Sequence, residues 1–388
     1  MSNSFSRRNW LKASALLSAG AIVSLRNIAF AVNEPGIAPT GEIIPDLNND
    51  SSVQELAVRL NANENPYGPS EKAKDALRSV VDTSFRYPFK EVRQLKQILA
   101  DRVGLTPEHV LLGGGSTEIL TIAGLAFGLQ HGSIISAHPS FETLMRTADA
   151  FDCEWIQVPL DSSYTVDLRK MEAAIKPDTR MMYLCNPNNP TGTILPSEQH
   201  KAFCRNISSK IPLFIDEAYN DFLDQPDSET IIPLIKEGHD VIVARTFSKI
   251  HGFAGLRVGW AYAQPARVRE LEKYQPRLST ITMTSVQAAM ASLKDLEFQL
   301  YCKKMNAEAR AYTYKAIATA GYDSFINSNT SFIMFPIKMD GNEFINKMIA
   351  EGVGIRAWNF NNQNWCRVSL GTLEEMKLFG AALKKISG

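Results

Sequence analysis

The sequence predicts an α/β protein: a three-layer large domain built around a mostly parallel sheet, followed by a smaller α+β domain. Two observations carry this reading. Short uninterrupted apolar runs, such as Leu213-Phe-Ile215 and Val241-Ile-Val-Ala244, alternate with longer stretches of helical periodicity. Strands without polar alternation are buried on both faces, the pattern of a parallel sheet covered by helices. Beyond Pro265 the alternation gives way to long helical stretches and then to a few short strands, which marks a second unit. A chain of 388 residues is long enough for one large and one small core.

Residues 1–31 read as a leader rather than as part of the fold. Ser6-Arg7-Arg8-Asn9-Trp10-Leu11-Lys12 is a basic segment with a twin arginine, followed by a modest apolar stretch and the small-x-small signal Ala29-Phe30-Ala31. The apolar stretch is short and weakly hydrophobic for a membrane span. It resembles a twin-arginine export signal cleaved after Ala31, which implies an exported, periplasmic mature chain and an encounter with the twin-arginine export machinery. Residues 32–57, rich in Pro, Gly, Asn and Asp, read as a linker.

The remaining elements follow in order. Residues 58–84 are expected to join the small domain, with a rigid polar loop at 58–69 and a helix at 71–81 capped by Ser70. The large domain is expected over 85–279, with helices at 92–103, 119–129, 167–175 and 197–207. Its strands fall near 133–137, 154–159, 180–185, 213–216 and 241–244. The small domain is expected over 280–388. A helical stretch at 285–318, strands at 331–335 and 367–370 and a closing helix at 373–386 build it.

Chemistry gathers at the carboxyl ends of the predicted strands, where ligands bind in such sheets. Val241-Ile-Val-Ala244 runs into Thr246-Phe-Ser-Lys249, and a glycine-rich segment then leads to Arg257. A lysine flanked by hydroxyls and a second cation suits an amine that must lose its proton and condense with an aldehyde cofactor. Thr246, Ser248 and Arg257 suit a phosphate, which needs hydroxyl donors and a guanidinium. Gly113-Gly-Gly-Ser-Thr-Glu118 joins a strand to a helix start and makes a further anion cradle. Asp216 ends an apolar strand, a costly place for a carboxylate unless a cationic group such as a pyridinium nitrogen faces it. Phe141, after a turn, is either core or a ring that stacks on a flat ligand. Arg356 and Arg367 are the notable cations of the C-terminal unit, and Arg367 opens a strand, an unusual place for a solvated charge.

Composition narrows the function classes. Lys and Arg number 41, as do Asp and Glu, and this neutral balance argues against a nucleic-acid partner. The five cysteines show no metal-ligand spacing and read as mostly buried thiols, with one disulfide open.

Taken together, these motifs resemble the pyridoxal-phosphate-dependent aminotransferases of fold type I, class I/II, in the histidinol-phosphate aminotransferase-like branch. The resemblance rests on Leu60-Asn-Ala-Asn-Glu-Asn-Pro-Tyr-Gly68, Arg86-Tyr-Pro88, Asn188-Asn-Pro-Thr-Gly192, Asp216-Glu-Ala-Tyr219, Thr246-Phe-Ser-Lys249 and Arg367-Val-Ser-Leu-Gly371. It implies pyridoxal 5'-phosphate as cofactor, with Lys249 as the catalytic amine and Asp216 on the ring nitrogen. Asn189 and Tyr219 would meet the phenolic oxygen, and Phe141 would stack on the ring. Gly115, Ser116, Thr117, Thr246 and Arg257 would hold the phosphate. Tyr87 would reach the cofactor of a second subunit, so a homodimer is implied. Asn63, Arg356 and Arg367 fall on the substrate side, with Arg367 on an α-carboxylate such as that of glutamate or 2-oxoglutarate. The implied reaction moves an amino group from an amino acid or amine donor to a 2-oxo acid acceptor. A decarboxylase or lyase of the threonine-phosphate decarboxylase type is the alternative on the same scaffold. The chain departs from the family pattern at Leu144, Phe89, residues 279–283 and the segment 356–367, all on substrate-facing parts.

Overall fold

The structure, a computed structural model, describes residues 36–37, 41–44, 56–276 and 280–387. The expected leader and its Arg7-Arg8 pair lie outside the described residues. In chain order the strands are β1 (Gly36–Ile37), β2 (Glu42–Ile44), β3 (Val58–Arg59), β4 (Val110–Gly113), β5 (Gly132–His138), β6 (Cys153–Pro159) and β7 (Thr179–Cys185). They continue with β8 (Leu213–Asp216), β9 (Val241–Thr246), β10 (Gly259–Tyr262), β11 (Phe332–Ile337), β12 (Val353–Gly354), β13 (Arg356–Phe360) and β14 (Gln363–Ser369).

The large sheet has seven strands in the order β4-β10-β9-β8-β7-β5-β6. Strands β5 to β9 pair in parallel, and β10 alone runs antiparallel to its neighbours β4 and β9. Its side chains sort with a period of two. Leu213, Ile215, Val241, Val243, Met182, Leu184, Trp260 and Tyr262 enter one apolar layer. Phe214, Ile242, Ala244, Met181, Tyr183, Cys185 and Ala261 enter the other. The first layer is closed by helices Phe89–Val103, Ser197–Ile207 and Ile232–Lys236, the second by Ser116–Gly128, Thr143–Asp149 and Pro265–Glu272. Each strand therefore needs apolar residues on both faces, which is why the runs lack polar alternation. The three-layer α/β architecture expected from the sequence is the one observed.

The smaller sheet, β1-β2-β13-β14-β11, is antiparallel throughout. One of its faces packs under helices Leu296–Thr319, Gly341–Ala350 and Leu373–Ser387 through Ile43, Ile333, Phe335, Ile337, Ala357, Cys366 and Val368. The other face carries Phe332, Met334, Trp358, Trp365 and Arg367.

The apolar layers divide the chain differently from the expected boundaries. The stretch 285–318 is two helices, Met283–Ser292 and Leu296–Thr319. The first inserts Val286, Ala288 and Ala289 into the large-domain core, where Ala73 of helix Glu71–Arg78 also lies. Small residues at helical spacing allow this close approach. The chain turns away at Asp295, whose buried carboxylate takes a 2.8 Å ion pair from Lys72. Part of the expected linker is likewise structured: β2 adds to β13, with Ala357 opposite Ile43 and Trp358 opposite Glu42. All five cysteines are buried free thiols.

One polar cluster fixes the end of β8. Glu217, 2% exposed, accepts from Arg245 Nε at 3.0 Å and Nη2 at 2.8 Å, from Thr230 Oγ1 and from the Ile231 N–H. Removing one partner of such a pair leaves a buried charge uncompensated. Arg245→Met is expected to lower unfolding stability by roughly 3–5 kcal/mol, read by chemical denaturation. A loss within experimental error would show that water or a neighbour replaces the guanidinium.

Candidate active site

Segments from both domains converge where β7, β8 and β9 end. They enclose a cavity of about 280 Å³ lined among others by Asn63, Ser116, Thr117, Phe141, Asn189, Asp216, Tyr219, Thr246, Lys249, Arg257, Arg356 and Arg367. Of the residues singled out in the sequence, two do not line it. Gly115 lies just behind Ser116, and Tyr87 stands elsewhere on the surface, 64% exposed, its ring 5.7 Å from that of Phe89.

Lys249 follows the turn after β9. Its Nζ donates to the carbonyl of Asn63 at 3.1 Å and sits 5.4 Å from the Tyr219 ring centroid. Burial and the nearby Arg367 guanidinium lower its pKa to about 8, while Asp216 and Glu64 push the other way. An amine in that range keeps a useful neutral fraction near pH 7, as a nucleophile or base requires.

Asp216 is 2% exposed and shares its face with Tyr183 and Cys185, since Cys185 is its direct partner across the parallel pair. Tyr183 Oη donates to Oδ2 at 3.0 Å, and the Ala218 N–H donates to Oδ1 at 3.0 Å. Burial raises the carboxyl pKa to about 6 despite those bonds and despite Lys249. No basic side chain among the described residues forms an ion pair with it. A cationic ligand atom would restore the ionised form.

An anion seat lies opposite. Helix Ser116–Gly128 begins after Gly115, which has no side chain to cap its first N–H groups, and Ser116 and Thr117 of its first turn line the cavity. Gly115 has φ +87°, and a Cβ there would stand 2.2 Å from Arg257 Nη2, so only glycine lets the guanidinium reach. Arg257, itself at φ +55°, donates to the carbonyls of Ala254 at 2.9 Å and Gly114 at 3.2 Å and approaches Ser248 Oγ at 3.4 Å. Thr246 Oγ1 accepts from the Ser248 N–H. Uncapped amides, the four hydroxyls of Ser116, Thr117, Thr246 and Ser248 and a guanidinium make a phosphate-binding set.

The third part comes from the small sheet. Arg367 is 4% exposed; its Nη1 donates to Asn189 Oδ1 at 2.7 Å and its Nη2 to the Asn61 carbonyl at 3.1 Å, while Nε has no partner. Its guanidinium lies 4.8 Å from the Trp358 ring centroid and 5.3 Å from that of Phe332. Burial and Arg356 lower its pKa to about 10, so it remains a cation at neutral pH without an acidic side chain paired to it among the described residues. Asn63, in left-handed conformation at φ +51°, has both ends of its amide engaged. It donates to Tyr219 Oη at 2.9 Å and accepts from Ser369 Oγ at 2.8 Å, so it is a strut that fixes Tyr219. Arg356 reaches the cavity from β13 but pairs with Glu42 at 2.6 Å.

Three contributors were not legible in the motifs. Tyr183 was, in retrospect, signalled by a hydroxyl inside an otherwise apolar strand, which needs a buried partner. Cys185 follows from it by the two-residue period. Glu42 had no local signal, because only the strand pairing brings it to Arg356.

These groups fit pyridoxal 5'-phosphate. Asp216 lacks a cationic partner, the glycine cradle and Arg257 suit a phosphate, and Lys249 has the amine for an aldehyde. The comparisons with known proteins agree. The family described as Aminotransferase class I and II matches residues 57–383. The chain is 33% identical over 356 residues to the histidinol-phosphate aminotransferase of Brevibacillus brevis, covering 92% of this chain and 96% of that one. The histidinol-phosphate aminotransferase of Sinorhizobium meliloti, solved in complex with pyridoxal-5'-phosphate, superposes with a TM-score of 0.80 at 26% identity, over 86% of this chain and 91% of that one. The L-threonine-O-3-phosphate decarboxylase of Porphyromonas gingivalis shares the fold, with a TM-score of 0.73 at 20% identity over 85% and 99% of the two chains. With its cavity built as described and its family match running from residue 57 to residue 383, this chain belongs to the class I and II aminotransferases.

Proposed function

We propose that the protein is a pyridoxal-phosphate-dependent aminotransferase that moves an amino group from an amino acid to a 2-oxo acid, with the α-carboxylate of both held by Arg367. The observation that carries this is the buried Arg367 itself. A guanidinium taken out of water with neutral partners and an unpaired Nε is costly unless an anion completes it, and a carboxylate offers two oxygens to its fork.

When bound, pyridoxal 5'-phosphate supplies an aldehyde for the amine and an electron sink for charge developing at the substrate Cα. The chain's own residues do the rest. Ser116, Thr117, Thr246, Ser248, Arg257 and the amides at the helix start would hold the phosphate. Asp216, oriented by Tyr183 and the Ala218 N–H, would keep the ring nitrogen protonated. Asn189 and Tyr219 would meet the ring oxygen, and Phe141, which lines the same cavity, would cover one ring face. Lys249 Nζ would take the proton from the substrate Cα and release it to the carbon that was the cofactor's aldehyde, its basicity set by burial and Arg367 against Asp216 and Glu64. Arg367 fixes the carboxylate and so decides which Cα bond Lys249 meets. Product analysis tests this directly: a 2-oxo acid supports the reading, and carbon dioxide would establish decarboxylation in its place.

The assembly we propose is a homodimer. Phe85, Tyr87 and Phe89 stand 75%, 64% and 48% exposed, a neighbouring aromatic group larger than a solvated surface needs. Tyr87, remote from its own cavity, is then available to that of a second subunit. We also propose that the mature chain is exported to the periplasm, on the strength of the Arg7-Arg8 signal. The twin-arginine route carries folded proteins, which suits an enzyme loaded with its cofactor before export.

Three results are expected. In cofactor-free protein, acylation of Lys249 should rise with pH through a midpoint of about 8 rather than that of ordinary surface lysines. Because Asp216 holds that value up, Asp216→Asn should move the midpoint lower still; peptide mass spectrometry across a pH series reads both. A midpoint that stays with the surface lysines would remove the amine from its assigned role, as would substantial turnover by Lys249→Ala.

Arg367→Ala should weaken 2-oxo acids and α-amino acids alike by about ten- to a hundredfold, the worth of roughly 1.5–3 kcal/mol for a bidentate charged pair. Steady-state kinetics with glutamate, an uncharged amino acid, 2-oxoglutarate and histidinol phosphate would read it. If only histidinol phosphate turned over efficiently, the choice of an amino-acid donor would be wrong.

Replacing Arg7 and Arg8 by Lys should leave unprocessed protein in the cytoplasm, measured by fractionation and N-terminal sequencing. Efficient periplasmic delivery of that variant would remove the export reading.

A further inference from the structure

The face of the small sheet turned toward the cavity carries an acid where a substrate anion would be received. Directly opposed residues of neighbouring strands share a face. By that rule Arg367 and Arg356, opposed on β14 and β13, share theirs, and so do Trp358 and Glu42, opposed on β13 and β2. Residues 356 and 358 lie two apart, so all four belong to one face. Arg356 Nη1 donates to Glu42 Oε1 at 2.6 Å, and Arg356 also lines the cavity that holds Lys249.

Glu42 is not a loosely placed surface acid. The next residue, Ile43, is 4% exposed in the small-domain core and packs against the start of helix Gly341–Ala350, where a Cβ on Gly341 would stand 1.9 Å from Ile43 Cδ1. The preceding residue, Gly41, takes φ +79° with no room for a side chain beside the Asn359 carbonyl. A buried Ile and a glycine that tolerates no replacement thus lock β2 in register. A one-residue slip would turn Ile43 to the cavity and Glu42 to the core. The glutamate side chain is 23% exposed and that of Arg356 43%, so the pair sits at the cavity mouth, within reach of an entering ligand.

We propose that Glu42 is a specificity-determining residue that occupies Arg356 and thereby selects amino donors with an uncharged side chain over donors carrying a second, distal anion. The inference rests on the reading above that Arg367 receives the α-carboxylate, with Arg356, its cross-strand partner, lining the same cavity. A distal carboxylate or phosphate must compete with Glu42 for the guanidinium and meets the glutamate charge as it does so. An uncharged side chain meets a pair that is already neutral. Specificity of this kind comes from an element that repels the wrong ligand.

The test compares the cofactor-loaded full-length enzyme with Glu42→Gln and Arg356→Gln, using leucine, glutamate and histidinol phosphate as donors. In Glu42→Gln the ratio of kcat/KM for glutamate to that for leucine should rise about tenfold, as should the ratio for histidinol phosphate, because one charge-assisted contact is released to the ligand. In Arg356→Gln both ratios should fall. An unchanged ratio in Glu42→Gln together with a fall in Arg356→Gln overturns the role of Glu42 while leaving Arg356 as a substrate contact. Ratios unmoved in both variants overturn the proposal by a different route, since Arg356 would then not meet the donor; the Arg367→Ala result stands or falls independently. Because each readout is a ratio within one protein preparation, a general loss of folded enzyme cannot imitate it.

Discussion

Two carboxylates stand side by side at the end of β8, and the two-residue period sends them to opposite faces of the sheet. Glu217 turns to the side where Arg245, Thr230 and the Ile231 amide satisfy it fully. Asp216 turns to the side of Tyr183 and Phe214 and finds only neutral donors. The first acid is a structural anchor with its cation supplied by the chain. The second is an acid whose cation the chain does not supply, in a layer where desolvation raises its pKa to about 6. The anchor holds the strand end still, and so gives the unsatisfied acid a fixed position against Lys249. Most of what the cavity can do follows from this difference between neighbours.

The small sheet repeats the arrangement on a second scale. Ile43, Ala357, Cys366 and Val368 bind one face to its helices, and that burial orients Trp358, Arg356 and Arg367 toward the large domain. The rings of Phe332 and Trp358 place π-electron density beside the charge of the buried Arg367. The same core that stabilises the small domain is therefore what aims its cations. Asn63 then ties the parts together, since one amide links Tyr219 after β8 with Ser369 at the end of β14.

Much of the large domain was legible because a parallel sheet buries both faces, and residues such as Val241-Ile-Val-Ala244 announce that by lacking polar alternation. The chemistry was legible for a related reason: Asp216, Asn189 and Lys249 each follow such a run, and strand ends are where polar residues gather. What could not be read locally came from pairing. β10 is short and follows a glycine-rich loop, so Gly259–Tyr262 gave no periodic signal of its own. The break at Asp295 was hidden because residues on both sides favour helix; tertiary packing of Val286 and Ala289 against the large sheet, with the Lys72 pair, decides it. Glu42 sat in a stretch whose Pro, Gly, Asn and Asp content spoke for a linker. Only the fit of Ile43 under helix Gly341–Ala350 makes it a strand.

The charges around the cavity form a sequence of unequal demands rather than a uniform positive field. Arg257 is aimed at the uncapped helix start and suits a phosphate. Arg367 is buried, has an unpaired Nε and suits a carboxylate close to the reacting carbon. Arg356 is more exposed and already has Glu42, so its demand for an anion is weaker. Lys249 lies among them and is driven toward its neutral form by burial and by Arg367, with Asp216 and Glu64 preventing the shift from going further. An anion set against Arg367 would offset its field and raise the proton affinity of Lys249. The neutral form that a base needs is secured by burial first and by Arg367 second.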